Sequence, residues 1–177
     1  TVLDSQLEVL QSQGFTSVFV VAGYLIDQVK QKISDRDYGD MSVEVIHNPF
    51  YATTNNIISL WLALPYVQRD FVSINGDDVF KESVIEKLIE TDGDMVMVIN
   101  RKQQYDSDDM RVHTVGGLVK NVGKDLSEDI TNGESVGIIK YREGGARTLS
   151  KVLDDLLKHP ENHQKFYLTA LERIMRS

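Results

Sequence analysis

Two periods of apolar residues alternate along the chain. Val2, Leu3, Leu7 and Leu10 share one helical stripe that ends at Gly14, so residues 2–13 predict an amphipathic helix. SVFVVAGY, from Ser17 to Tyr24, is β-branched and apolar at successive positions, the pattern of a strand buried on both faces. Leu25 to Arg36 returns to helical period through Ile26, Val29 and Ile33, and SVEVIHN, residues 42–48, alternates like a strand nearer an edge. Asn48-Pro49 opens a loop. Asn55 or Asn56 then caps a helix whose core face is Ile57, Leu60, Trp61 and Leu64. Phe71 to Phe80, FVSINGDDVF, is a short apolar run closed by Gly76 and two adjacent carboxylates, Asp77 and Asp78. A helix over 81–92 and an apolar strand over 94–100 follow. This alternation predicts an α/β fold, a doubly wound, mostly parallel sheet with helices on both faces.

The regularity breaks at RKQQYDSDDM, a polar loop of functional length. RVHTV, Gly116-Gly117 and LVKNV predict a β-hairpin insertion, and GESVGIIKYR a further apolar strand. Two helices, 146–159 and 161–176, close the chain on either side of Pro160. With no internal repeat or linker, residues 1–177 read as a single domain.

Composition narrows the function classes. A chain of 177 residues can bury about 70% of the surface its unfolded form exposes, so it needs no staple. It contains no Cys, which excludes disulfides, thiolate metal sites and a cysteine nucleophile and predicts a cytoplasmic location. No apolar run reaches the roughly 20 residues of a membrane span, and no membrane partner is expected. The first residues already read as a helix, so neither a signal nor a transit peptide is expected ahead of them. The 19 Lys and Arg against 27 Asp and Glu give a formal net charge of −8, with no basic patch interleaved with aromatics, so nucleic acid is not an expected partner.

The candidate chemistry centres on the turn after Phe71–Ile74. A carboxylate at the end of a buried strand can hold Mg²⁺ against a polyphosphate, because that cation takes one or two carboxylate oxygens and fills its remaining positions with water and phosphate. The plainer reading is that Asp77 or Asp78 caps the helix that follows. His159 and His163 have the spacing of a helical zinc pair, but Pro160 between them predicts surface histidines instead. His47 and His113 have no partner in the sequence and read as structural, and Trp61 reads as core.

NNIISLWLA, taken with GDDVF, MRVHTVGGLVKNVGKDL and GESVGIIKY, resembles the sugar-nucleotide and phosphocholine type of nucleotidyltransferase, most of all the cytidylyltransferases acting on phosphocholine or 2-aminoethylphosphonate. The resemblance covers about residues 1–141, in the family's order. It implies a Rossmann-like fold and transfer of a nucleotidyl group from an NTP, with CTP the expected one, to a small phosphorylated or phosphonylated acceptor, releasing pyrophosphate. Asp77 would be the Mg²⁺ ligand. Asn55, Asn56 and Ser59 would lie near the nucleotide, where an amide offers both donor and acceptor to a base edge. Lys124 would be the catalytic lysine, holding the acceptor phosphate, with Glu134 and Tyr105 meeting an acceptor cation. For Lys124 an exposed loop lysine, and for Asn55 and Asn56 a capping role, explain the residues equally well.

Family members also carry a Gly-rich triphosphate loop on a first strand and a later Glu-Ile-Asp-like metal motif, and the resemblance aligns neither with residues 1–177. That first strand would lie between the strands at Ser17 and Phe71, so two open apolar edges are expected there. Three functions fit the sequence: an active cytidylyltransferase, a degenerate nucleotidyltransferase-fold module for binding or assembly, and a generic receiver- or flavodoxin-like domain. The last leaves the hairpin unexplained. Oligomeric state, monomer or homo-oligomer, is left open.

Overall fold

The computed structural model describes residues 1–67 and 69–176. In chain order it contains α1 (Val2–Ser12), β1 (Ser17–Ala22), α2 (Ile26–Ser34), β2 (Ser42–His47), α3 (Asn56–Ala63), β3 (Phe71–Ile74), α4 (Glu82–Glu90), β4 (Met95–Asn100), β5 (Arg111–Val115), β6 (Leu118–Gly123), β7 (Gly133–Tyr141), α5 (Glu143–Leu156) and α6 (Leu168–Met175). The fold is mixed α/β, as the alternation predicts, but the expected mostly parallel sheet is only partly present. β1 and β2 pair in parallel, whereas every ladder of the five-stranded sheet is antiparallel. The reason is β7. It runs between β3 and β4, antiparallel to both, so two strands that would otherwise be parallel neighbours share no ladder.

β1 and β3 share no ladder, which leaves each with an unpaired edge among the described residues. SVFVVA, read from the sequence as buried on both faces, therefore has no fully buried residue, since β1 has a neighbour on one side alone. The two half-sheets are joined through side chains. Ile74 of β3 and Val18 and Val20 of β1 pack against one shared core of Leu7, Leu10, Ile33, Tyr38 and Met41, and Phe15 bridges that core to the one under α4.

Helices cover both faces. β7 divides its residues between them: Ile138 packs against Ile85 and Leu88 of α4, while Ile139 and Tyr141 face Ile57, Leu149, Leu153 and Leu171 from α3, α5 and α6. Lys140, almost fully buried, donates to the carbonyls of Ile89 and Thr91 and so closes the C-terminal end of α4. The hairpin turn has φ of 58° at Gly116 and 81° at Gly117, the two positive angles that a tight primed turn demands.

Three sequence expectations change. Pro160 does end helical continuity, but the chain makes a short 3-10 turn at Pro160–Asn162 and starts α6 only at Leu168, so the helix expected over 161–176 is about half as long. Trp61 is not core. It is 39% exposed, with Nε1 donating to Asp154 at 2.8 Å. Finally, α4 begins at Glu82 with Lys81 as its cap residue, so neither Asp77 nor Asp78 caps it.

Candidate active site

The turn from Asn75 to Asp78 is held at both ends by one side chain. Gln6, on the buried face of α1 and only 8% exposed, donates through Nε2 to the Asn75 carbonyl at 2.9 Å and to the Asp78 carbonyl at 2.8 Å. Asp78 N–H closes the turn on Asn75 at 3.3 Å. Asp77 therefore sits exposed at the tip of a fixed turn, at the C-terminal end of β3. A polar residue inside an amphipathic stripe was the available signal for Gln6, and the sequence reading passed over it.

Asp78 turns inward. Its Oδ2 is buried without a hydrogen-bond partner, and burial, helped by the neighbouring Asp77 charge, pushes its carboxyl up to about 6. It lies against Gly137 of β7, where φ is +82° and an added Cβ would come within 2.9 Å of Asp78 Oδ2 and 2.0 Å of Asn75 Nδ2. Tyr167 donates from its hydroxyl to the Gly137 carbonyl at 3.4 Å, and burial raises that phenol well above the ordinary tyrosine range. Ser73 and Tyr141 add two more buried hydroxyls to the same neighbourhood.

The 163–167 segment gathers several of the sequence-predicted residues. The backbone N–H of Asn55 donates to the His163 carbonyl at 2.9 Å, and Asn55 Oδ1 accepts from Asn56 N at 2.7 Å. Asn56 Oδ1 accepts from Tyr167 N at 2.9 Å. The amide nitrogens of both asparagines have no partner among the described residues. Ser59 is already engaged, accepting from the buried Asn48 at 3.1 Å. Lys124 Nζ stands 5.3 Å above the Phe166 ring, with Asp108 at 3.7 Å. Phe166 and Tyr167 carried no signal beyond an aromatic pair within the helix expected over 161–176.

Tyr105 and Glu134 meet in a second cluster, around a cation the sequence did not nominate. Lys102 Nζ is 2.6 Å from Asp109 Oδ2, 2.7 Å from Glu134 Oε2 and 5.8 Å from the centre of the Tyr105 ring. Asp109 first, and Glu134 after it, hold the Lys102 ammonium above the ordinary lysine range. Asn100 occupies the other Glu134 oxygen at 2.9 Å. β7 joins the two clusters: Glu134 stands at its start, beside Asn100 and Arg111, and Gly137 three residues on lies beside Asp78.

Among the described residues no group of three or more His, Cys, Asp or Glu side chains is arranged to hold a metal ion. The donors present, exposed Asp77 and the unpaired Asp78 Oδ2, suit a cation that takes one or two carboxylates and finds its other ligands on a phosphate chain. A cleft of about 970 Å³ between Phe50, Trp61, Leu157 and His163 adjoins the Asn55 contact through His163 and is lined by neither aspartate of the turn nor by Lys102, Tyr105, Lys124 or Glu134.

The comparisons with known proteins bear on the fold. The CMP-5'-(3-aminopropyl)phosphonate synthase of Streptomyces rubellomurinus is 33% identical over 79 residues, which is 45% of this chain and 12% of that protein. The CTP:phosphoglutamine cytidylyltransferase of Campylobacter jejuni is 21% identical over 194 aligned positions, covering 96% of this chain and 73% of its own length. The inositol-1-phosphate CTP transferase of T. maritima superposes with a TM-score of 0.77 at 16% identity, over 99% of this chain and 68% of that one. This is a nucleotidyltransferase fold. The CTP:phosphocholine cytidylyltransferase of Streptococcus pneumoniae shares the nucleotidyltransferase fold as well, with a TM-score of 0.69 at 14% identity over 99% of this chain and 72% of that one. No family model matches the chain. Asp77 lies beyond the C-terminal end of β3. No helix among the described residues is long and apolar enough to cross a membrane.

Proposed function

We propose that the chain is the core of a cytidylyltransferase, which transfers the cytidylyl group of CTP to a small phosphorylated or phosphonylated acceptor such as phosphocholine or 2-aminoethylphosphonate. An acceptor oxygen attacks the α-phosphorus, the bond from that phosphorus to the bridging oxygen breaks, and pyrophosphate leaves. The observation that carries the reading is Asp77 at the tip of a turn pinned by Gln6, beyond the end of β3 and beside β7, which carries Glu134 near its start, in a chain similar to proteins named for CTP chemistry. Asp77, with Asp78 beside it, would hold Mg²⁺, which supplies charge neutralisation to the triphosphate. The Asn55 and Asn56 amide nitrogens are donors for the nucleotide, with Ser59 fixing the helix that carries them. Lys124 holds the acceptor's anionic end, and the Lys102, Tyr105 and Glu134 cluster receives its other end. Catalysis on this account is positioning and electrostatic stabilisation.

The alternative, a binding or assembly module without turnover, is favoured by the open edges of β1 and β3 and the sparse metal ligands. A thermal-shift titration of the full-length protein with CTP, ATP and phosphocholine, each with and without Mg²⁺, separates the two. A ligand at about 100 times its Kd adds roughly 2.7 kcal/mol of stability. A Mg²⁺-dependent shift with CTP supports the enzyme; a shift with phosphocholine alone supports the binding module.

A further inference from the structure

Tyr105, Lys124 and Glu134 lie on three separate segments, and one residue touches all three. Arg111 opens β5, where it pairs with Gly123 of β6 on one side and Glu134 of β7 on the other. Gly123 is the residue before Lys124. The Arg111 guanidinium reaches further than its backbone. Nη1 donates to the Leu126 carbonyl at 2.9 Å, two residues beyond Lys124, while Nη2 donates to the Tyr105 carbonyl at 3.5 Å and pairs with Glu128 at 3.4 Å. The side chain is 12% exposed, and Nε is buried with no partner.

Burying a guanidinium that still lacks one hydrogen bond is costly, and an apolar residue would fill the space more cheaply. What arginine adds is a rigid planar fork able to grip carbonyls on two loops at once, which the single ammonium of lysine does poorly. The two loops it grips carry Lys102 and Tyr105 on one side and Lys124 on the other. Glu134, facing the Lys102 ammonium, is the residue directly across the β5–β7 ladder.

We infer that Arg111 is a positioning residue, which ties the 101–110 loop to the 124–128 loop and so sets the spacing of the acceptor-holding side chains. It touches no reacting atom. The inference rests on the acceptor reading given above, because that reading makes these loops the walls of one pocket.

The test uses the full-length protein with Arg111→Lys and Arg111→Met. Hydrogen exchange should quicken in both loops together in Arg111→Met and less in Arg111→Lys, with α3 and α4 unchanged. In steady-state assays with CTP and either phosphocholine or 2-aminoethylphosphonate, KM for the acceptor should rise on the order of ten- to a hundredfold in Arg111→Met. KM for CTP should not move, and Arg111→Lys should recover part of the loss. A purely structural arginine would raise both KM values alike or lower only the melting temperature, and either result overturns the inference. So does faster exchange in one loop alone. If Arg111→Met fails to fold, Arg111→Lys carries the same comparison. Should the wild-type protein turn over neither acceptor, the proposed function fails, while the exchange experiment still decides whether Arg111 joins the loops.

Discussion

Replacing Gln6 by Leu keeps the side-chain volume and removes both donors that hold the Asp77 turn. The two ends lose unequally. The Asn75 carbonyl keeps the Asp78 N–H at 3.3 Å, so its loss is that of an ordinary hydrogen bond, about 1 kcal/mol. The Asp78 carbonyl loses its bond to a buried side chain, and a part-buried acceptor without a partner costs about 1–2 kcal/mol. The sum is about 2–3 kcal/mol, which for a chain of this size lowers Tm by about 4–12 °C. Urea unfolding followed by circular dichroism measures it. The midpoint should fall with the m-value unchanged, because the surface exposed on unfolding is the same. Gln6→Glu sharpens the test: at neutral pH it sets a carboxylate against two carbonyl oxygens, so it should be worse than Leu and should recover in acid, where the protonated group regains one donor. A midpoint shift below about 0.5 kcal/mol for Gln6→Leu, within the range of an ordinary surface substitution, would refute the claim that this amide fixes the turn.

Other expectations follow from the same region. Asp78 has its folded-state carboxyl raised from 3.8 to about 6, so its contribution to stability is fully present below about pH 4 and is lost as pH rises through about 6. Asp78→Asn should flatten that part of the stability profile when unfolding is followed in EDTA, and an unchanged slope between pH 4 and 6 would count against the burial of Asp78. Gly137→Ala combines a left-handed φ of +82° with a Cβ 2.0 Å from Asn75 Nδ2, so it should cost more than about 2 kcal/mol, read as a fall in the urea midpoint. Trp61→Phe removes one exposed hydrogen bond to Asp154 and should change stability by less than about 1 kcal/mol, whereas a core tryptophan would cost several.

The element order was legible because periodicity is a local property. SVFVVA and MVMVIN are short, apolar and rich in valine, which favours strands, and the stripe of Leu7 and Leu10 has the helical period. Strand direction is not local. Nothing within GESVGIIKY says that it inserts antiparallel between β3 and β4, since an apolar run reads the same in either direction. Burial fails for a related reason: Trp61 shares a stripe with Ile57, but α3 meets the sheet through Ile57 and Ile58 and leaves the indole at its margin. At the candidate site, Asp77 was visible as a carboxylate after a strand and a glycine. Lys102, Arg111 and Tyr167 were not, because each acts on a partner that only the fold brings near, and Gln6 showed only as a polar residue in an apolar stripe.

The most direct test of the account is pyrophosphate release by the full-length protein from CTP, Mg²⁺ and either phosphocholine or 2-aminoethylphosphonate, run beside Asp77→Ala. The account predicts release that needs both the acceptor and Mg²⁺ and is abolished by the substitution. Release that persists undiminished in Asp77→Ala, or none from the wild-type protein with either acceptor, would contradict it.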